Sequence, residues 1–284
     1  MTAMATAAVG AVLSLAVIPI AGQAQAPAYK APRTADGKPN LNGIWQALGT
    51  ANWDLQDHPA RPSPVYQLGA ILAEPAGQGV VEGNEIPYQP WAAAKKKENF
   101  EKRWSFEGLK LDGDTDDRFN IGDPEIKCYH PGIPRATYLP YPFQIIQTPK
   151  YIEMAYEFAS ANRLINMEKP KESPIDYWMG WSNGHWEEET LVVDVRSLNG
   201  REWFDRAGNF SSENLHVVER YTATDPDHLD YQVTIEDPTV FTRPWKISMP
   251  LYRRVEKNLQ PMEFKCVEFA EELIYHNLRK QPSK

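Results

Sequence analysis

The chain is short of several things, and each shortage excludes a class of protein. Of its 284 residues only two are cysteine, Cys128 and Cys266. They are far apart and belong to no C-x-x-C pair, so a zinc ribbon and a dithiol redox centre are both excluded. One long-range disulfide in an oxidising compartment is the expectation. Closing that loop would stabilise the fold by roughly 4–5 kcal/mol in the chain-entropy account. The six histidines, His58, His130, His185, His216, His228 and His276, stand singly, with no H-E-x-x-H. No metal site is therefore expected. The phosphate-binding loop, the dinucleotide glycine fingerprint and G-x-S-x-G are missing too, and no cofactor is expected. Basic residues are the minority, 30 against 38 acidic, for a net charge of −8. That balance argues against nucleic acid, which asks for a basic face.

Charge is absent altogether from residues 1–26, where Ala7 to Ala21 is apolar but for Ser14 and is broken by Pro19. The small residues Gly22, Ala24 and Ala26 follow, in the layout of a secretory signal peptide cut after Ala24. The departure is that no Lys or Arg precedes the apolar run. No later apolar run approaches the ~18 residues that span a bilayer, so no membrane span is expected. The resulting scheme is a signal peptide at 1–24, a linker at 25–41 and one β-barrel domain at 42–284. Residues 46–130 form a loop and helix insertion in that domain. The location is periplasmic or secreted.

What is abundant is aromatic side chains: 9 Trp, 13 Tyr and 10 Phe. Asn42–Trp45 reads as a first strand, and turn residues dominate from Gln46 to Gly83. Pro90 then opens a helix over Trp91–Trp104, with Lys95–Lys97 on its solvated face. Beyond residue 142 the period becomes two. Strands are expected at Phe143–Gln147 and Tyr151–Glu157 about a Thr148-Pro149-Lys150 turn, then at Arg163–Met167 and Tyr177–Ser182. Further strands follow at Trp186–Glu187 with Thr190–Arg196, Leu215–Thr222, Leu229–Glu236, Trp245–Leu251 and Pro261–Val267, with a terminal helix over Val267–Lys280. Asn183-Gly184 between Trp-rich runs is the strongest hairpin signal. Nine or ten strands without βαβ alternation give a mainly β fold, an antiparallel up-and-down barrel with a loop- and helix-rich N-terminal extension.

Gly43-Ile44-Trp45 resembles the G-x-W of the lipocalins, in which the Trp plugs one barrel end. The C-terminal half is similar to a large family of exported bacterial proteins, over roughly half of the chain. The matching stretches run from Asp123-Pro124-Glu125 to Cys128, then Pro134-Arg135, Pro140–Ile145, Gly184–Glu187, Thr190–Asp194, Asp205-Arg206, Leu215–Arg220, Glu236-Asp237-Pro238 and Pro244-Trp245. The resemblance implies secretion and a β-barrel and carries no activity with it. Where many relatives have Gly-His-Pro-His, this chain has Gly208-Asn209-Phe210-Ser211, so no histidine role carries over there.

General acid–base chemistry remains. His216 begins a strand directly after the long Ser197–Asn214 segment, and histidine titrates nearest neutrality. If that segment roofs a barrel mouth, Asp205 would orient His216, Arg206 would stabilise an oxyanion and Trp203 would stack on substrate. Arg135, Tyr177, Trp181 and Glu187 complete the candidate substrate wall, with Asp194, His185, Trp178 and Trp186 as neighbours. The plainer alternative makes His216 an ordinary strand residue and Asp205–Arg206 a loop ion pair. Asp112–Asp117 offers oxygens at alternate positions, but Asp117 and Asp123 stand where a calcium loop has Gly and Glu, which favours a solvated acidic loop. The functional expectation is a cofactor-independent lyase, isomerase or hydrolase acting on an apolar or aromatic-ringed small molecule. The rivals are a lipocalin-like carrier and a carbohydrate-recognising surface protein.

Overall fold

The computed structural model describes residues 29–63, 70, 73–103 and 122–264. The signal segment, the Asp112–Asp117 loop, Cys266 with its expected bridge to Cys128, and the Val267–Lys280 helix lie outside the described residues.

Nine strands close into a barrel in which each pairs with its neighbours in sequence. They are β1 (Gly43–Ala47), β2 (Phe143–Gln147), β3 (Tyr151–Tyr156), β4 (Asn162–Asn166) and β5 (Trp181–Glu187). The ring continues with β6 (Thr190–Arg196), β7 (His216–Asp225), β8 (His228–Glu236) and β9 (Trp245–Arg253). β9 pairs antiparallel with β1, from Trp45↔Arg253 to Ala47↔Leu251, and that join seals the ring. Eight joins are antiparallel and one, β4 to β5, is parallel. The parallel join follows from arithmetic. Each antiparallel join reverses direction, and an odd ring cannot return to its starting direction by reversals alone. The barrel is therefore mixed, and the strict up-and-down order breaks at this one join. A parallel join also needs a long crossover, which residues 167–180 supply.

Alternation sets the inner face. Ile152, Met154 and Tyr156 of β3, Val217 and Tyr221 of β7, and Leu229, Tyr231, Val233 and Ile235 of β8 are all buried in one apolar cluster. Trp45 is fully buried, its indole N–H donating to the Leu41 carbonyl at 2.9 Å. The interior is thus packed with side chains, which corrects the expectation of a hollow barrel holding a ligand in its mouth: the large inward residues fill the space.

The N-terminal extension is held on the barrel by single bridges, Val81↔Ile247 and Tyr88↔Phe241. Helix α1 (Pro90–Lys102) starts at the expected proline, and Lys95 and Lys102 both pair with Glu98 on its exposed side. A short helix α2 covers Arg135–Tyr138.

Two strand expectations are corrected. Asn183-Gly184 is not a turn. Strand β5 runs straight through it, pairing Asn183↔Asp194 and Gly184↔Val193, and the chain reverses at Glu188-Glu189. Gly184 is small for packing: a Cβ there would lie 2.6 Å from Met167 Sδ and 2.7 Å from Ile165 Cγ2. Pro261–Phe264, the described part of the expected last strand, is irregular, because β9 has already taken the free edge of β1.

Candidate functional site

Strands β4 and β5 share only two pairs, Ile165↔Ser182 and Asn166↔Asn183. Towards Asn162 on one strand and the residues before Trp181 on the other, no further pair forms. A cleft of about 610 Å³ opens there on the outer wall. Its apolar lining is Tyr151, Leu164, Tyr177, Trp178, Met179 and Trp181. Its polar lining is His130, Asn162, Asn166 and Lys171, with Arg163 and Ser182 reaching it from the inner face.

The walls are fixed by specific contacts. Tyr177 is tied to the chain after β6: its N–H donates to Ser197 O at 2.8 Å, and its carbonyl accepts from Asn199 N at 3.1 Å. Tyr177 and Trp181 stack with centroids 6.4 Å apart, and Trp178 lies nearly parallel to Tyr129 at 5.2 Å. Gly180, at φ +63°, sits where a Cβ would press on Leu198 and Val195 at 2.9 Å. On the other side the Asn183 carboxamide clamps the crossover, accepting from Lys171 N and donating to Lys171 O, both at 3.0 Å.

Two lining residues keep an unpaired polar atom. The Asn166 amide nitrogen donates to Lys169 O at 2.9 Å and to Asn183 Oδ1 at 3.1 Å, which fixes the amide's orientation. Its Oδ1, though buried, has no partner. The Trp181 indole Nε1 is also buried and unpartnered. Each such atom costs roughly 1–3 kcal/mol of desolvation.

Beneath the cleft lies a charged interior. Arg163 donates through Nε to Ser182 Oγ at 2.8 Å and pairs through Nη2 with Glu219, and both residues are almost fully buried. Tyr221 and Tyr231 donate to Glu219 Oε1 at 2.8 and 2.6 Å. Burial works against the charge on Arg163, yet Glu219 beside it keeps its pKa well above the ordinary arginine value. Burial also lowers the His130 pKa below its ordinary value, which favours the neutral ring.

Of the residues singled out from sequence, Tyr177, Trp178 and Trp181 line the cleft; the others sit elsewhere. His216 is one residue out of step with the buried Val217 and Glu219, so it faces outward on the barrel wall. Its Nε2 lies 2.6 Å from Asp194 and its Nδ1 3.5 Å from Glu236. The structure does not bring Asp205 to it. Asp205 is completely buried, accepting from Leu55 N at 2.8 Å, Asn209 N at 3.1 Å and Asn209 Nδ2 at 2.6 Å. Arg206 makes a two-pronged bond to Glu125, both arms 2.8 Å, and lies over Trp53. It is thus spent on a carboxylate and is not placed as an oxyanion donor. Arg135 is likewise committed, to Asp123 at 2.7 Å and Glu125 at 2.8 Å, so it is no anion subsite. Burial alone would push the Glu125 carboxyl up, yet Arg206 and Arg135 together pull it down to about 2. Trp203 bridges to Phe210, away from the cleft lining. Glu187 is exposed and pairs with Arg220 at 2.8 Å. The Ser197–Asn214 segment caps the barrel as a packed plug, with Phe204 edge-on to Trp245 at 5.7 Å.

Sequence reasoning passed over Asn166, Lys171, His130 and the Arg163–Glu219 pair. A signal for the pair was present: Glu219 falls on the apolar side of its strand between Val217 and Tyr221, and Arg163 occupies the same kind of position beside Ile165. No comparable pattern marks Lys171, which is placed by a side chain on another strand.

Comparison with protein-family models finds none that matches this chain, and comparison with curated proteins finds no match either.

Proposed function

We propose that the chain is an exported protein that binds a small, flat, largely apolar molecule in the cleft beside β4 and β5. One observation carries this reading. Four aromatic side chains, Tyr151, Tyr177, Trp178 and Trp181, wall one cleft whose polar lining is sparse. A volume of about 610 Å³ suits a drug-sized molecule, and apolar walls with a few polar groups suit its orientation. A carbohydrate would bring many hydroxyls to so few polar groups, which makes it the poorer fit. The reading keeps the small-molecule use of a lipocalin-like carrier but moves the ligand from the barrel axis to its wall. Export rests on the uncharged apolar segment 1–26 and on the resemblance to exported bacterial barrel proteins.

Titration with 2-naphthol, followed by tryptophan fluorescence, tests the reading, since Trp178 and Trp181 line the cleft. Saturable quenching is expected. Leu164→Trp, at a position 59% exposed, should fill the cleft and abolish the quenching without unfolding the barrel. Identical quenching in that variant would overturn the reading.

A catalytic form of the same reading is favoured by His130, a lining imidazole whose neutral, proton-accepting form burial favours. It makes the protein a cofactor-independent acid–base enzyme, centred on His130 rather than His216. His130→Gln should then keep ligand affinity and lose turnover; retained turnover would remove it.

A further inference from the structure

The cleft's charge is out of keeping with the chain. Acidic residues outnumber basic ones, 38 to 30, yet among the described residues no Asp or Glu lines the cleft. Three nitrogen bases line it, and they are not equivalent. The Arg163 charge is matched inside the barrel by Glu219. Burial disfavours the charged form of the His130 ring. Lys171 is left: among the described residues it enters no ion pair, and its ammonium lies 5.9 Å from the Tyr151 ring centroid at the cleft wall. Its backbone is held from both sides by the Asn183 carboxamide, so the side chain springs from a fixed point. The nearby lining offers the π faces of Tyr177 and Trp181.

We infer that the molecule bound in the cleft is an aromatic carboxylate, its ring against Tyr177 and Trp181 and its anionic group toward Lys171. The inference rests on the reading of this cleft as a small-molecule site and adds the sign of the ligand's charge. A flat ring matches the stacked walls. The carboxylate accepts from the Lys171 ammonium, with no acidic side chain among the described lining residues to repel it. A cationic or neutral ring would leave Lys171 unmatched.

Calorimetric titration of the full mature chain with 2-naphthoate, 2-naphthylmethanol and 2-naphthylmethylamine separates the possibilities, because the three share a ring system and differ in charge. In 20 mM salt, 2-naphthoate should bind about five-fold or more tightly than the alcohol, the scale of one partly exposed ion pair. That ratio should shrink in 500 mM salt, as screening shortens the reach of Lys171. Lys171→Gln should bring the affinities of acid and alcohol within about two-fold of each other, whereas Lys169→Gln, outside the lining, should keep the preference. Equal affinities in the native protein, or a preference for the amine, would overturn the charge assignment while leaving the cleft a binding site. Binding of none of the three, or undiminished 2-naphthoate binding in Leu164→Trp, would overturn the site itself.

Discussion

Arg253 lies over Trp45, its guanidinium carbon 4.2 Å from the ring centroid, in space left open by Gly43. The same guanidinium donates to Asn42 O at 2.8 Å, tying the end of β9 to the start of β1 where the ring closes. Gly43 has a φ of 144°, and a Cβ on it would overlap Arg253 Nη1. The Gly-x-Trp spacing is thereby explained: the glycine makes room for a cation on the buried indole. Gly43→Ala should cost about 1–3 kcal/mol by urea denaturation. Adding Arg253→Ala should restore only part of it, because the backbone strain at position 43 remains. Full restoration would mean that the clash alone matters.

Inside the barrel, Arg163 and Glu219 neutralise one another out of reach of water. Glu219→Gln leaves a buried guanidinium without its counter-charge and is expected to destabilise by ~3–5 kcal/mol. The paired replacement Arg163→Met with Glu219→Leu should recover most of that loss. Urea midpoints at unchanged slope would report it. A double variant as unstable as the single one would show that the tyrosine bonds to Glu219, not the charge pair, dominate.

Glu202 is 2% exposed, and among the described residues no side chain pairs with its carboxylate. Burial pushes its pKa up to about 8, against an ordinary 4.5. Below pH 4.5 the carboxyl is protonated whether folded or unfolded, and its contribution to stability is fully present. As pH rises from 4.5 to 8 the unfolded chain releases the proton and the folded chain keeps it, so stability falls; above 8 the loss is complete. Asp205, pushed up to about 7 by burial and then by Asp54, adds a slope of the same sign. Glu125, held near 2, acts with the opposite sign and below this window. Glu202→Gln should therefore raise stability at pH 8 by on the order of 2–4 kcal/mol and change little at pH 4. Equal gains at both values would point to packing instead of protonation.

Much of the barrel could be read from alternation. The Thr148-Pro149-Lys150 turn, the inward set Ile152, Met154 and Tyr156, and the strands ending at Glu236 and starting at Trp245 all stand as expected. Alternation separates two faces of a strand without saying which is inside, and His216 was placed by its neighbours in the chain rather than by that parity. Asn183-Gly184 has the composition of a turn, but its roles are remote: Asn183 holds Lys171, and Gly184 admits Met167. Asp205 and Arg135 looked like site residues because they are charged and lie in loops. Their partners, Leu55 and Asn209 for the one and Asp123 and Glu125 for the other, meet them only through tertiary packing.

The odd membership of the ring has a consequence for how such a cleft could arise or vanish. A tenth strand inserted among these nine, or one removed, would let every neighbour run head to tail, and the wall could be stitched shut all the way round. With nine, one stretch must be crossed by a bridge of chain laid outside the wall, and its span sets how wide the gap stands. Lengthening or shortening residues 167–180 would resize the opening while leaving the staves of the cask as they are.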